Sequence, residues 1–260
     1  MARMIKGSGS IAYHNKSFCM INDAMPLRAS SIQRAQLRDV DVAHMYALYS
    51  TCYRDTERAR FEHDLDDKTH CVIMRDDTGV LRGFSTLKLY EQQWRGTTLR
   101  ILFSGDTIVD PACWGSQQLA FCWIRLAGEL KRRAPDAALY WFLICKGHRT
   151  YRYLRAFAHD FSPRFDRPTE PASQALLDHL AVERFGQAYD AASGILDFAV
   201  PQGRLSPALA DVPDIHRRMP DVAYFLERNP DYARGNELVC LCELTPENLR
   251  PMARRIFTGE

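Results

Sequence analysis

Between Thr98 and Cys145 two long apolar runs flank one amphipathic segment, and the rest of the chain must fold around that unit. The first run, Thr98-Leu99-Arg100-Ile101-Leu102-Phe103, is rich in apolar and β-branched residues. It breaks at Ser104-Gly105 and resumes through Thr107-Ile108-Val109 to Asp110-Pro111. From Gln118 the period changes: Leu119, Cys122/Trp123, Leu126 and Leu130 recur at helical spacing until Lys131-Arg132-Arg133 and Pro135 close the run. The second run, Ala137 to Cys145, is unbroken and predicts a strand buried on both faces. Strand, glycine-bearing turn, helix and strand form a β-α-β unit, which makes the two strands parallel. The turn Ala112–Gln117 aims backbone N–H groups and a helix dipole at one point, a place that suits a phosphate.

The rest of the chain reads as layers around this unit. Ser31 to Leu37 predicts a short strand. Arg38-Asp39 opens a helix with Val42, Met45/Tyr46, Tyr49 and Cys52/Tyr53 on its apolar face, and a second helix spans about Thr56 to Asp66. His70–Arg75 is a strand, Asp76-Asp77-Thr78-Gly79 a hairpin turn and Val80–Glu91 the returning strand. A longer connection is expected around Trp94-Arg95-Gly96. After Lys146-Gly147-His148, a helix is predicted over Arg149–Phe161. From Pro163 prolines punctuate the chain. The pattern there predicts a helix over Ser173–Tyr189, a strand over Gly194–Val200 and a helix over Val222–Arg228. A strand over Glu237–Leu244 should return to the sheet, because a lone strand cannot bury itself, and a last helix should start at Thr245-Pro246-Glu247. The expected organisation is an irregular arm over 1–30, an α/β core with a mixed sheet over 31–163, and a helical extension over 164–260 whose strand 237–244 joins the core.

With 34 basic and 32 acidic residues the net charge of +2 argues against a nucleic-acid partner. No stretch approaches the ~20 apolar residues of a membrane helix, and the first thirty residues lack the apolar core of a signal peptide, so a cytoplasmic protein is expected. The eight cysteines lie mostly in apolar runs, without a C-x-x-C pair or zinc spacing. They predict reduced, buried thiols and no metal site.

The element order to Phe161 resembles the GCN5-related N-acetyltransferase (GNAT) superfamily over Ser31–Pro163, with Glu237–Leu244 as a terminal strand. Val109-Asp110-Pro111 is similar to the family's strand end before the coenzyme A loop. Gly115 matches the first glycine of its Gln/Arg-x-x-Gly-x-Gly/Ala motif, while Ala112 and Gln117 stand where the family has Gln/Arg and a second small residue. The resemblance implies an α/β acyltransferase fold in which two parallel strands splay and the pantetheine arm of acyl-CoA fills the gap. It implies donor contacts at Ile108, Val109, Trp114, Gly115, Ser116, Gln117, Gln118 and Leu119, with Arg149 near the phosphates. The bulk of Trp114 and Gln117 leaves a carrier-protein phosphopantetheine open as a second donor.

Acyl transfer to an amine needs a base, a polarised thioester carbonyl and an acid for the leaving thiolate. Asp106, which interrupts the central strand, is the first candidate base and Glu91 the second. Tyr153 is the preferred acid, with Tyr151 as the alternative. Each has a plainer reading: backbone bonding around a glycine bulge for Asp106, a solvated strand end for Glu91, helix packing for the tyrosines. No G-x-S-x-G elbow favours a hydrolase. The expected function is therefore acyl-CoA-dependent N-acyl transfer, acetyl or longer, to an amine of a small molecule or peptide by direct attack. The C-terminal segment would cover the acceptor site. A non-catalytic GNAT-like binding or regulatory module is the alternative, and a homodimer through the late strand or the C-terminal segment is compatible with the pattern.

Overall fold

The computed structural model describes residues 26–199 and 202–260. The arm expected over residues 1–30 lies outside them up to residue 25, and Cys19 with it. Eight strands form one mixed sheet among the described residues: β1 (Leu27–Gln33), β2 (His70–Asp76), β3 (Leu81–Trp94), β4 (Thr97–Val109), β5 (Leu139–Cys145), β6 (Tyr189–Asp190), β7 (Ile195–Leu196) and β8 (Glu237–Glu243). Their spatial order is β1-β2-β3-β4-β5-β8-β7-β6. β1 to β4 pair antiparallel in succession, β4 and β5 are parallel, and β8 pairs antiparallel with β5 from Leu238↔Cys145 to Glu243↔Tyr140. The strand order is thus that of a mixed α/β fold built on the β-α-β unit, with α3 (Gln118–Arg132) crossing between β4 and β5.

Local chemistry explains the turns. The Asp76 carboxylate accepts from the Thr78 and Val80 amides and so closes the β2–β3 hairpin. The connection after Trp94 is tighter than expected, a two-residue hairpin in which Trp94 pairs directly with Thr97. Arg95 (φ +49°) and Gly96 (φ +81°) are both left-handed, which matches the twist of the flanking strands, and the Arg95 guanidinium lies over the Trp94 ring at 5.0 Å.

Strand alternation sorts side chains into two layers. Leu102, Trp141, Leu143, Cys145, Cys240 and Cys242 face α3, α4 (His148–Phe157), α6 (Pro220–Arg228) and α7 (Pro251–Thr258). The opposite face carries two separate clusters. One joins Cys71, Ile73, Phe84 and Ile108 to α1 (Asp39–Cys52) and α2 (Arg58–Asp66). The other joins Ile101, Phe103, Phe142 and Val239 to α5 (Pro171–Phe185). Seven cysteines are buried free thiols.

The last helix starts at Pro251, not at Pro246. Pro246–Asn248 make only one turn, in which the Asn248 and Leu249 amides donate to the Thr245 carbonyl; Leu249 then forms a β-bridge with Ala158 and the Arg250 amide donates to the Phe157 carbonyl, so the helix cannot begin before Pro251. α4 is likewise shorter than expected, because His159 and Ser162 turn their amides to the Asn248 and Leu241 carbonyls instead of continuing the helix.

Candidate active site

The parallel ladder between β4 and β5 stops at Ser104↔Leu143, although β4 continues to Val109 and β5 to Cys145. Beyond Ser104 the two strands part. On its other edge β4 stays paired with β3, but the register slips: Leu87 faces Ser104 and Ser85 faces Thr107. Gly105 and Asp106 therefore share the place opposite Thr86, which is a β-bulge. The Asp106 amide donates to the Thr86 hydroxyl at 3.1 Å. A Cβ on Gly105 would lie 2.7 Å from that hydroxyl and 2.8 Å from the Lys68 Cε, so the bulge accepts glycine and nothing larger without displacement.

Asp106 lines a cavity of about 260 Å³ between the α1–α2 cluster and the α5 cluster. Tyr49, Tyr53, Phe61 and Asp64 form one wall, and Arg184, Phe185, Phe198 and Glu237 come from the C-terminal segment on the other. Thr107 and Thr150 line this cavity and also two smaller ones that open through the gap. One is an apolar slot of about 30 Å³ between α3 and α4, bounded by Leu119, Trp123, Tyr153 and Phe157. The other is a cleft of about 90 Å³ at the strand ends, with Ile108, Val109, Trp114 and Arg149. The parted strands therefore join a polar chamber on one face of the sheet to an apolar passage on the other.

Charges around the chamber are almost all paired. Lys146 Nζ lies 3.5 Å from Glu237 Oε1 and donates to the Gln202 carbonyl at 3.2 Å. Lys68, its side chain fully buried, meets Asp64 at 2.8 Å. Arg184 pairs with Asp67 at 2.7 Å and stacks on Phe103 at 4.0 Å. The Asp106 carboxylate has neither an ion pair nor a side-chain hydrogen bond among the described residues. Burial, with Asp64 and Glu237 nearby, pushes its pKa up to about 7, and Lys146 and Lys68 oppose that rise. Burial also raises Glu237, against the pull of Lys146.

Toward the turn, Asp110 caps the single turn Pro111–Cys113 by accepting from the Ala112 amide at 3.0 Å. Gly115 takes φ +98° with open space around it. α3 has no acidic residue in its first turn, and its first amides have no intrahelical partner. Ser116 Oγ accepts from the Gln118 amide at 3.4 Å, while Gln117 occupies the N-cap without a side-chain cap. The Trp114 indole donates to the Val109 carbonyl at 3.1 Å, and the Arg149 guanidinium lies 4.4 Å over its ring.

The structure brings together Asp106, Tyr153, Ile108, Val109, Trp114, Leu119 and Arg149 around one gap. It does not bring Glu91 there: Glu91 is exposed, pairs across from Arg100 at the far end of the hairpin and lines none of these cavities. Tyr151 is fully buried in the core, donates to the Pro163 carbonyl at 3.0 Å and lines none of them either. Tyr153 is half-buried on the slot, its pKa raised by burial. Lys68, Lys146, Arg184 and Glu237 escaped the sequence reading. Lys146 and Glu237 carried a signal, a charge at the end of each of two apolar strands; Arg184 sits on an ordinary amphipathic helix and carried none.

The parting of two parallel central strands behind α3, with a bulge on the first, matches the splay that the resemblance to the GCN5-related N-acetyltransferases implies. No protein-family model and no curated protein matches the sequence. Solved structures similar to it include a conserved protein from Enterococcus faecalis described as a probable N-acyltransferase, 14% identical with a TM-score of 0.41, covering 52% of this chain and 33% of that one. The chain thus spans about a third of the length of the Enterococcus protein. The Escherichia coli GNAT family N-acetyltransferase YhbS, solved with CoA, is 18% identical with a TM-score of 0.39 over 57% of this chain and 78% of that one. A ribosomal-protein-alanine N-acetyltransferase from Brucella melitensis is 17% identical with a TM-score of 0.39 over 50% of this chain and 90% of that one. No helix among the described residues is long and apolar enough to cross a membrane, and no group of three or more His, Cys, Asp or Glu among them is placed to hold a metal ion.

Proposed function

We propose that this protein transfers an acyl group from a coenzyme A thioester to an amine held in the chamber. The observation that carries the reading is the Asp106 carboxylate, without an ion pair or side-chain hydrogen bond among the described residues, at the point where β4 and β5 part. The pantetheine arm would lie along the gap, where backbone groups of β4 beyond Ser104 have no ladder partner on β5 and need one. The amides from Gly115 to Leu119, at the helix N-terminus, suit its phosphates, with Arg149 beside them.

Asp106, held near neutrality, takes a proton from the acceptor ammonium. The free amine nitrogen then bonds to the thioester carbonyl carbon. The tetrahedral intermediate collapses as the C–S bond breaks. Tyr153 gives its proton to the leaving thiolate and regains one from the proton that the attacking nitrogen sheds as it becomes the neutral amide, so that the only net proton released is the one on Asp106. Burial raises the thiol pKa of Cys52, the cysteine that lines the gap, which leaves it a poor nucleophile and favours direct attack. The C-terminal segment closes the chamber, because Arg184, Phe185, Phe198 and Glu237 all line it.

The test is release of CoA thiol from acetyl-CoA over a panel of amines, with a parallel thermal-shift series using CoA, acyl-CoA and phosphopantetheine. Amine-dependent thiol release that is lost in D106N supports transfer. A shift with phosphopantetheine alone identifies a carrier-protein donor instead. Stabilisation by CoA without turnover of any amine supports the binding-module reading.

A further inference from the structure

We infer that the acceptor is a carboxylate-free primary amine on an apolar, aryl or alkyl body, and that amino acids of the same shape are excluded. This rests on the transferase reading above. Five carboxylates and three cations line the chamber, and each cation already faces a carboxylate of the protein. Lys146 is held by Glu237, Arg184 by Asp67, and Arg60 stands 3.9 Å from Glu57. A substrate carboxylate brought among them would have to break one of these pairs or lie unpaired near buried acids, and either is costly. An ammonium meets the opposite situation, because among the described residues Asp106 is the lining carboxylate with no ion pair or side-chain hydrogen bond.

The walls select the body of the molecule. On one side Tyr49 stacks on Tyr53 with ring centroids 4.8 Å apart and meets Phe61 at a tilt at 5.0 Å, and Phe103 and Phe185 meet on the other edge-on at 6.0 Å. Aromatic faces on both sides favour an apolar body and add attraction for the cation it carries. A chamber of about 260 Å³ lies just below the range of pockets for drug-sized ligands, which favours a metabolite-sized amine over a folded protein surface.

The decisive comparison is phenethylamine against L-phenylalanine, which differ by one carboxylate, with acetyl-CoA as donor and CoA release as readout. Phenethylamine is expected to have a kcat/KM higher by about tenfold or more. Phenylalanine within about threefold of it, or better, overturns the inference while leaving amine transfer standing. Failure of both amines, together with a broader amine panel and with acetyl-CoA bound in the same preparation, overturns the transfer reading and the inference with it. In E237Q, which releases Lys146 from its carboxylate, the preference should shrink toward phenylalanine. An unchanged ratio in E237Q that retains the wild-type circular dichroism counts against the assigned role of the Lys146–Glu237 pair.

Discussion

From Thr97 to Ser104, β4 lies against β3 and, from Arg100 on, also against β5, and Leu99, Ile101, Leu102 and Phe103 are all buried. From Gly105 to Val109 it keeps only β3, carries a bulge, and exposes Gly105, Asp106 and Thr107 in part to cavities. One strand thus serves two purposes, and the division falls where the ladder ends. Paired on both edges, backbone is satisfied and side chains alone face the core. Released on one edge, its amides and carbonyls require a partner, and the gap that releases them is also the passage between the two faces.

If the second half of β4 carries the chemistry and the first half the stability, substitutions should separate the two effects. The largest effect is expected for D106N, a loss of about 10²- to 10⁴-fold in kcat. In the proposed mechanism Asp106 acts as the ionised base, so wild-type kcat/KM should rise with pH through about 7 and then level off, and D106N should lose that limb. Stability should move the other way. The folded pKa lies above the ordinary value of 3.8, so the folded state holds this proton more tightly and stability falls as pH rises from there through about 7. D106N should therefore melt higher than wild type above about pH 7 and match it near pH 4. A D106N protein that is less stable at alkaline pH would break the comparison by making Asp106 a structural residue.

I101A, in the first half, is expected to cost about 2–5 kcal/mol in urea unfolding while the folded fraction keeps its kcat. Y153F should lower kcat by roughly a hundredfold with little change in melting temperature. G105V sits at the boundary and should do both: about 1–3 kcal/mol of overpacking against Thr86 and Lys68, and reduced activity because the bulge that aims Asp106 is displaced. The smallest effect is expected for Y151F, about 1 kcal/mol from the lost bond to the Pro163 carbonyl, with kinetics unchanged. A kinetic defect in Y151F with wild-type behaviour in Y153F would exchange the roles of the two tyrosines.

Much of this was legible in the residue order. The apolar run before Cys145, the period change at Gln118 and the break at Ser104-Gly105 are local patterns, and local patterns report secondary structure because backbone geometry repeats over a few residues. The interruption by Asp106 was visible for the same reason: a carboxylate in an apolar strand must be paired, solvated or shifted. Less legible were the ends of elements settled by distant partners, as where Ala158 holds Leu249 extended and delays the last helix to Pro251.

Sequence alone determined the β-α-β unit, the glycine-bearing turn before its helix and the presence of an acid at the centre of the sheet. Tertiary structure alone decided what surrounds that acid. It set Glu91 far along the hairpin, buried Tyr151 in the core, turned Tyr153 to the gap, and brought Lys146, Arg184 and Glu237 to the chamber from segments remote in the chain. The physical reason is that strand and helix periods assign a residue to a face, whereas which faces meet depends on the register and packing of whole layers, information that no short window of sequence contains.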